Sequence, residues 1–560
     1  MNAQKIIAKT VTTLTQTALV ITELIVSVVF SFLLFILVTS KISPPEIIET
    51  EVGTRIKVAF NHYAIGDNWL KKNEFGIWEM YIEGAPYERG LIYGELAKEL
   101  IQKQETIFVG QIDHFVPNKT WQGVLQLMIG FFNKNLPDNI QLENQQEIYG
   151  ISKAFSDEYD YIATKYSRIL NYHGAHDIGH ALNDYSMVGC TSFALRGNKT
   201  ADGKLLIGRN FDFYVGDDFA EEKLILFVNP DEGIPFVSYS WAGFTGVASG
   251  LNSKGLSVTI NASKSDLPRS SKTPIALLAR EILQYAETIE EAIEIAEKRD
   301  IFVSETLLIS SKKDGKAVLI EKSPQKMGVY DNQANELYCT NHYQSNTFIK
   351  DEINITNVIK SDSRHRYSKI KSLISSKNSL TIEDAAYVLR SQTDINGDTL
   401  GMGNPRAVNQ LIAHHSVIMQ PEKLMFYAST SNFQLGPYLA YNLADVFDSK
   451  KSMSKVAIEE DPFVNSLAYS KFLEFKKINT KISNYLIFGN DLSLSKNAVK
   501  YFISLNSESY ISYEMIGRYY QKKMQHTLAI KHLKIALTKK TASLEVENEL
   551  KKLIIKCHVK

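Results

Sequence analysis

From Cys190 to about Tyr441 the chain alternates short apolar strands with glycine turns, and no other feature restricts its fold as much. Thr191–Leu195, Leu205–Gly208, Leu224–Val228, Gly255–Asn261, Leu307–Ser310, Ala317–Ile320 and Leu424–Ala428 all read as strands. Ala201-Asp202-Gly203 predicts a hairpin turn between the first two. Helices are expected at about Pro274–Lys298, Tyr367–Leu373 and Ile382–Arg390. Strands paired as hairpins and interrupted by helix blocks predict a layered α+β architecture rather than a doubly wound parallel sheet. Neither a dinucleotide-binding glycine pattern nor a Walker-type loop is found.

The flanks differ in kind. Ile92–Phe108 reads as a helix with one apolar face, and residues 120–185 as mostly helical, with Trp121, Leu125, Leu127, Met128, Phe131 and Phe132 supplying core. Past about Tyr441 the glycine turns disappear, and residues 450–560 are lysine-rich and helical. There Tyr513, Ile516, Gly517, Tyr520, Ala529, Leu533 and Ala536 fall at the offsets of one tetratricopeptide-like helix pair, a pattern that a plain helical cap also produces. At the other end, Ala18–Val38 is a run of 21 residues with one charge, Glu23, close to the roughly 20 needed to cross a bilayer. Lys5 and Lys9 precede it and Ser43-Pro44-Pro45 ends any helix. The run is read as an uncleaved single-pass anchor rather than a secretion signal or a buried helix, with the folded part on the extracytoplasmic side. The 62 basic and 62 acidic residues cancel, which gives no reason to expect a nucleic-acid partner.

Three cysteines, Cys190, Cys339 and Cys557, are too few and too scattered for a disulfide framework or a thiolate metal site. Cys190 has the informative surroundings: Val188-Gly189-Cys190-Thr191-Ser192-Phe193 is followed after one hairpin by Gly208-Arg209-Asn210-Phe211-Asp212-Phe213. Arg209 and Asp212 could return to the cysteine's neighbourhood, but on a straight strand they stand on opposite faces, so the strand is expected to bend or end at Asn210. Taken alone, a cysteine at the edge of a strand is more often a small buried hydrophobe than a nucleophile, and an arginine three residues before an aspartate more often a structural ion pair. His342, His414 and His415 read as scaffold or surface residues rather than ligands, and nothing fixes which of the 12 histidines would serve a papain-like Cys/His pair.

At these residues the sequence resembles the cysteine-type N-terminal-nucleophile (Ntn) hydrolases, which include choloylglycine hydrolases, penicillin V acylases, acid-ceramidase-like amidases and isopenicillin N acyltransferases. The resemblance runs from about Gly76 to Tyr441, through Gly84-Ala85-Pro86-Tyr87-Glu88-Arg89-Gly90, Gly189-Cys190-Thr191-Ser192, Gly208-Arg209-Asn210-x-Asp212, Asn252-x-x-Gly255-Leu256 on to Asn261, Thr340-Asn341-His342 and Ser363-Arg364-His365-Arg366-Tyr367. It implies a four-layer αββα sandwich of antiparallel sheets, here with an N-terminal transmembrane helix and a C-terminal helical extension. The division expected is an anchor over 1–45, a helical pro-segment or α chain over 46–189, a catalytic core over 190–445 and a helical domain over 446–560.

By the same resemblance, the Gly189–Cys190 bond is cut, and Cys190 supplies the thiol and, once freed, the α-amine. Asp212 would hold that amine, Arg209 would sit beside the thiolate, Asn341 and groups near Asn261 would donate to the oxyanion, and Arg364 or Arg366, here taken as Arg366, would match a distal arginine. The chemistry suits these types. A neighbouring cation lowers a thiol from its reference pKa near 8.5, and an α-amine near 7.7 to 8.0 exchanges a proton at neutral pH without a histidine. The expected reaction is cleavage of a linear amide through a thioester, with hydrolysis and acyl transfer differing only in what resolves it. The expected partners are a small amide, an acylated lipid or amino acid among them, and the two fragments of the chain, with no cofactor or metal. An inactive hydrolase-like scaffold is the other reading, distinguished by an uncleaved chain.

Overall fold

A strand that is apolar on both faces has to be covered on both sides. In the computed structural model, which describes residues 2–116, 118–182, 188–266 and 270–558, Leu224–Val228 is such a strand. The side chains of residues 2–14, 29, 32, 33, 37–39, 114, 115, 175–182 and 188 lie outside the description. Leu224, Leu226 and Val228 pack with the helices around Ile92–Ile101, Ile148–Ile151 and Ile275–Leu283, whereas Ile225 and Phe227 pack against a second sheet through Ile207, Val417, Met419 and Phe426. The second sheet is covered in turn: Phe193, Leu195, Leu206 and Ile418 meet Ile370, Ile374, Ala385 and Leu389 of helices on its far side. The result is helix, sheet, sheet, helix, with three apolar layers between them.

Among the described residues the first sheet has eleven strands, from Ile56–Ala59 to Met327–Tyr330. The second has seven, in the order Glu336–Cys339, Val188–Leu195, Leu206–Phe213, His415–Gln420, Met425–Ser429, Tyr438–Asn442 and Lys455–Ile458. Its neighbours all pair antiparallel. The first sheet departs from the expected pattern at one place, where Trp78–Gly84 pairs parallel with Lys223–Pro230. Residues 56–84, in a stretch where helix was expected, thus contribute strands to the same sheet as the downstream chain. The helix expected over Pro274–Lys298 is two, Ile275–Tyr285 and Ile289–Lys298, because Thr288 and Glu291 form a capping box that starts a new one.

The Gly84–Gly90 motif is structural. Arg89 is fully buried, its guanidinium donating to the Gly84 carbonyl and to Glu147, which Arg280 also grips. Gly90 lets the helix Pro86–Leu96 cross the helix Leu142–Ser152 closely, since a Cβ there would lie 2.1 Å from the Glu147 carbonyl oxygen.

The N-terminal expectation requires correction. No helix among the described residues is long and apolar enough to cross a membrane. The span over residues 18–38, the transmembrane helix in the fold class, the signal anchor, the membrane partner and the single-pass location with an extracytoplasmic catalytic part are all overturned by this finding. Five side chains of that stretch, at 29, 32, 33, 37 and 38, lie outside the described residues. The apolar run belongs to a 38-residue helix, Asn2–Thr39, that also carries Thr22, Glu23, Ser27 and Ser31. Its end docks on the chain itself: Ile36 is buried, and the Phe35 ring lies 6.2 Å from that of Phe131 in the helix Lys119–Phe132.

Beyond Ile458 come the helices Leu467–Phe488, Lys496–Leu505, Tyr510–Lys522, His526–Ala536 and Leu544–His558. Ile516, Ala529, Leu533 and Ala536, expected as the packing positions of a helix pair, are buried, and Leu533 lies against Gly517. Phe472, Phe475 and Phe502 join Leu411, Phe433 and Leu435 in one apolar cluster, so these helices are packed onto the sandwich.

Candidate active site

Cys190 is the third residue of Val188–Leu195, an interior strand of the seven-stranded sheet. Its partner strand pairs Gly189 with Asp212, Cys190 with Phe211 and Ser192 with Arg209. Residues paired across an antiparallel ladder share a face, so Cys190, Ser192, Arg209 and Phe211 look between the sheets. Thr191, Asn210 and Asp212 look toward the side covered by the helix Ser363–Ser375. The strand Leu206–Phe213 keeps unbroken register through Asn210 on both of its sides. The expected bend is therefore absent, and Arg209 and Asp212 approach the Gly189–Cys190 junction from opposite faces.

On the inner face the Cys190 thiol is 1% exposed and lies 3.6 Å from Arg209 Nη2. The Ala262 backbone N–H also points at the sulfur. Arg209 is held by the carbonyls of Ala248 and Ile260 and by the Ser249 hydroxyl, with its guanidinium 4.4 Å above the Phe211 ring. Burial pushes the thiol above its ordinary value, more than Arg209 pulls it down. The balance favours the thiol over the thiolate.

On the outer face Arg366 is the hub. Its Nη1 donates to the Cys190 carbonyl (2.6 Å) and to Thr191 Oγ1 (3.2 Å), and its Nη2 to Asn341 Oδ1 (2.7 Å) and Asp362 Oδ1 (2.8 Å). Arg364, the alternative, is exposed. Asn341 Oδ1 also accepts from the Cys190 backbone N–H at 3.0 Å, while Nδ2 donates to the Ala262 carbonyl at 2.8 Å. Asn261 accepts from Ser192 Oγ at 2.9 Å and donates to the Cys339 carbonyl at 3.4 Å. An amide nitrogen carries two hydrogens, so each asparagine keeps one beyond these bonds. Asp212 Oδ2 accepts from Gln410 Nε2 at 3.3 Å, and its Oδ1 has no hydrogen-bond partner among the described residues. Burial raises Asp212 to about 7, against the pull of Arg366 and Arg209.

Of the six residues singled out from the sequence, Cys190, Arg209, Asp212, Asn341 and Arg366 meet at the Gly189–Cys190 junction, while Asn261 stands one step away, bonded to Ser192 and to the Cys339 carbonyl. Ala262 and Gln410 were missed: a backbone N–H has no side-chain signature, and Gln410 comes from a distant loop. Ser363, inside a quoted motif, escaped notice although its hydroxyl accepts from the Asn341 N–H at 2.8 Å and meets His342 Nδ1 at 2.7 Å. Burial lowers His342 to about 4 and holds His414 and His415 well below the ordinary imidazole value, so all three are neutral. His415 Nε2 meets Ser249 Oγ at 2.8 Å and so braces Arg209 rather than the sulfur.

Comparison with known proteins follows the same lines. Residues 198–400 match the family model described as acyl-coenzyme A:6-aminopenicillanic acid acyl-transferase. A protein of Archaeoglobus fulgidus, described only as uncharacterized, is 28% identical over 234 residues, covering 39% of this chain and 38% of its own length. The chain therefore spans well under half of that relative. Among solved structures, a Caenorhabditis elegans N-acylethanolamine-hydrolyzing acid amidase ortholog is 17% identical with a TM-score of 0.31, covering 42% of this chain and 93% of its own. A mutant conjugated bile acid hydrolase from Clostridium perfringens is 16% identical with a TM-score of 0.33, covering 48% and 96%. A penicillin V acylase from Agrobacterium tumefaciens is 17% identical with a TM-score of 0.30, covering 45% and 91%. Likeness at that level carries no functional argument. The family match lies on the sheet sandwich and takes in the segments that carry Arg209, Asp212, Asn261, Asn341 and Arg366, so that over residues 198–400 the chain is similar to that acyl-transferase family; Cys190 stands just outside the matched stretch.

Proposed function

We propose that the chain cuts itself between Gly189 and Cys190 and that the new N-terminal Cys190 then cleaves a linear amide through a thioester. The observation that carries this reading is a buried thiol between Arg209 and the Ala262 N–H, at the residue after Gly189, with the free Oδ1 of Asp212 across the ladder from Gly189. In the first step Cys190 Sγ attacks the Gly189 carbonyl carbon, the C–N bond breaks, and the thiol proton passes to the departing nitrogen. Water then hydrolyses the Gly189 thioester, releasing a carboxylate and regenerating the thiol. The liberated α-ammonium takes the place that Asp212 Oδ1 leaves open. In turnover the α-amine receives the thiol proton and returns it to the leaving amine. The unused amide hydrogens of Asn261 and Asn341 stabilise the oxyanion, each donor contributing about 3 kcal/mol.

A wall of stacked rings suits an apolar acyl group. Phe211 stacks on Phe213 at 5.5 Å, Phe213 on Trp241 at 5.9 Å, and Phe213 and Trp241 are only partly buried. An N-acyl amide is accordingly the proposed substrate class, with acylated amino acids and lipid amides the first to screen. Whether water or an amine resolves the thioester is read by following free acid against transfer to an added amine. The expected result of intact-mass analysis on purified active protein is two fragments, 1–189 and 190–560, the second beginning with Cys190. A fully active chain continuous through the junction would refute the reading.

Asp212 gives a pH signature in the uncut chain. Its folded pKa, about 7, lies above the unfolded value near 3.9, so the folded state binds the extra proton between them. The stability this supplies is complete below about pH 4 and is lost as pH rises from there through about 7. In a Cys190→Ala background, Asp212→Asn should flatten the fall in urea midpoint across that window. Parallel profiles for the two proteins would assign the slope to other groups.

A further inference from the structure

We propose that Gln410 is a positioning residue for the Gly189–Cys190 junction and that the C-terminal helices hold it in place. This rests on the self-cleavage reading above. Gln410 is 4% exposed, and its amide does two things at once. It donates to Asp212 Oδ2, and it fills the space where Gly189 lacks a side chain: a Cβ on Gly189 would stand 2.2 Å from Gln410 Nε2. The amide therefore fixes the carboxylate and lies against the residue whose carbonyl is attacked.

The loop that delivers Gln410 depends on the C-terminal helices. Leu411 has left-handed backbone, φ 55°, which costs a non-glycine residue on the order of 1 kcal/mol or more unless its surroundings enforce it. Its side chain is fully buried in the cluster of Phe472, Phe475 and Phe502. Upstream in the same loop, Asn506 Oδ1 accepts from the Met402 N–H at 3.0 Å, and Asn506 Nδ2 donates to the Met402 carbonyl at 2.8 Å. Asn404 Nδ2 reaches the Lys540 carbonyl at 2.8 Å. Asn409 closes the turn, accepting from the Leu411 N–H at 2.9 Å. If these holds are loosened, Leu411 relaxes toward ordinary backbone and Gln410 turns away from Asp212. The C-terminal helices thus act on the reaction through one loop and one amide.

The test uses the full chain, with Gln410→Met, nearly isosteric but without the donor, and Asn506→Ala, which cuts the outer hold on the loop. The half-time for conversion to fragments 1–189 and 190–560 is followed by intact mass across a pH series, with circular dichroism confirming folding. Misplacement on the order of 1 Å costs up to about 100-fold, so both variants should process roughly 10- to 100-fold more slowly. Their acid limb should also move to higher pH. Arg366 and Asp362 on the helix, Arg209 on the same strand and Cys190 on the neighbouring one still face Asp212, but the carboxylate has lost a donor. A purely structural role would lower melting temperature without moving that limb. Folded variants with wild-type half-times and an unmoved limb would overturn the proposal, and a misfolded Gln410→Met leaves Asn506→Ala to decide it. Cys190→Ala, run in parallel, separates the two readings: if it too splits, self-cleavage itself is wrong, and if it alone stays whole while the others cut normally, only the positioning role falls.

Discussion

Cys190→Ala is expected to remain a single 560-residue chain with no amide turnover, while Cys190→Ser cuts slowly and turns over very poorly. The difference follows from acidity. Serine keeps a nucleophilic atom and, after cutting, the same α-amine, but its hydroxyl is far less acidic than a thiol, so Arg209 does little to populate the anion. Burial holds the thiol above its ordinary value, so on the proposed mechanism self-cleavage is expected to be slow relative to turnover, because only cutting would place an amine beside the sulfur. Intact mass over time and release of amine from N-acyl amides measure both effects. The alanine variant should fold, since its side chain fits within the volume of a cysteine in an interior strand. It also guards against a contaminating protease, which would cut without regard to the nucleophile. Mature fragments and near-wild-type turnover from Cys190→Ala would make Cys190 a packed core cysteine.

Much of the sandwich was legible because both faces of its strands are covered. Short, almost wholly apolar runs such as Leu224–Val228 and Leu307–Ser310 identify themselves without an amphipathic period. What sequence could not show was partnership. The strand Trp78–Gly84 pairs parallel with Lys223–Pro230 across well over a hundred residues, and nothing in either segment announces it. The apolar run after Ala18 is a different case. Its described large side chains from Leu19 to Phe35 are exposed and only Ile36 is buried, so the contact of its end with the helix of Phe131 is the one part that depends on a segment far along the chain.

The site shows the same division. The resemblance to the Ntn hydrolases selected Cys190, Arg209, Asp212, Asn261, Asn341 and Arg366, yet the bend expected at Asn210 to bring Arg209 and Asp212 together does not occur. A straight strand presents alternate residues to opposite faces, and here both faces are used: Arg209 stands by the sulfur between the sheets, and Asp212 stands beside Gly189 under the helix that carries Arg366. The requirement for one shared face was the error. A peptide bond within a sheet can be approached from both sides.

Arg366→Lys is expected to slow self-cleavage by about 100-fold or more while the chain still folds, and Arg364→Lys is expected to change nothing. The two arginines stand two residues apart on one helix and so point away from each other, which lets the pair isolate placement from composition. Arg364 is exposed. Arg366 is 1% exposed and spreads two nitrogens over four acceptors, the Cys190 carbonyl, Thr191 Oγ1, Asn341 Oδ1 and Asp362 Oδ1. A lysine keeps the charge but offers one point donor on a flexible stem, which cannot bridge the strand and Asn341 together. Two consequences separate. Losing the bond to the Cys190 carbonyl frees the strand just past the junction. Losing the bond to Asn341 releases the amide that accepts from the Cys190 N–H and whose spare hydrogen is proposed to serve the oxyanion. Misorientation of that kind costs on the order of 100-fold in rate. Stability should fall by less than the roughly 3–5 kcal/mol typical of removing one member of a buried ion pair, because the lysine retains the charge opposite Asp362. Intact mass gives the rate and urea unfolding the stability. Arg366→Lys cutting at the wild-type rate would show that the guanidinium fork serves only the packing of its helix, and would remove it from the machinery at Cys190.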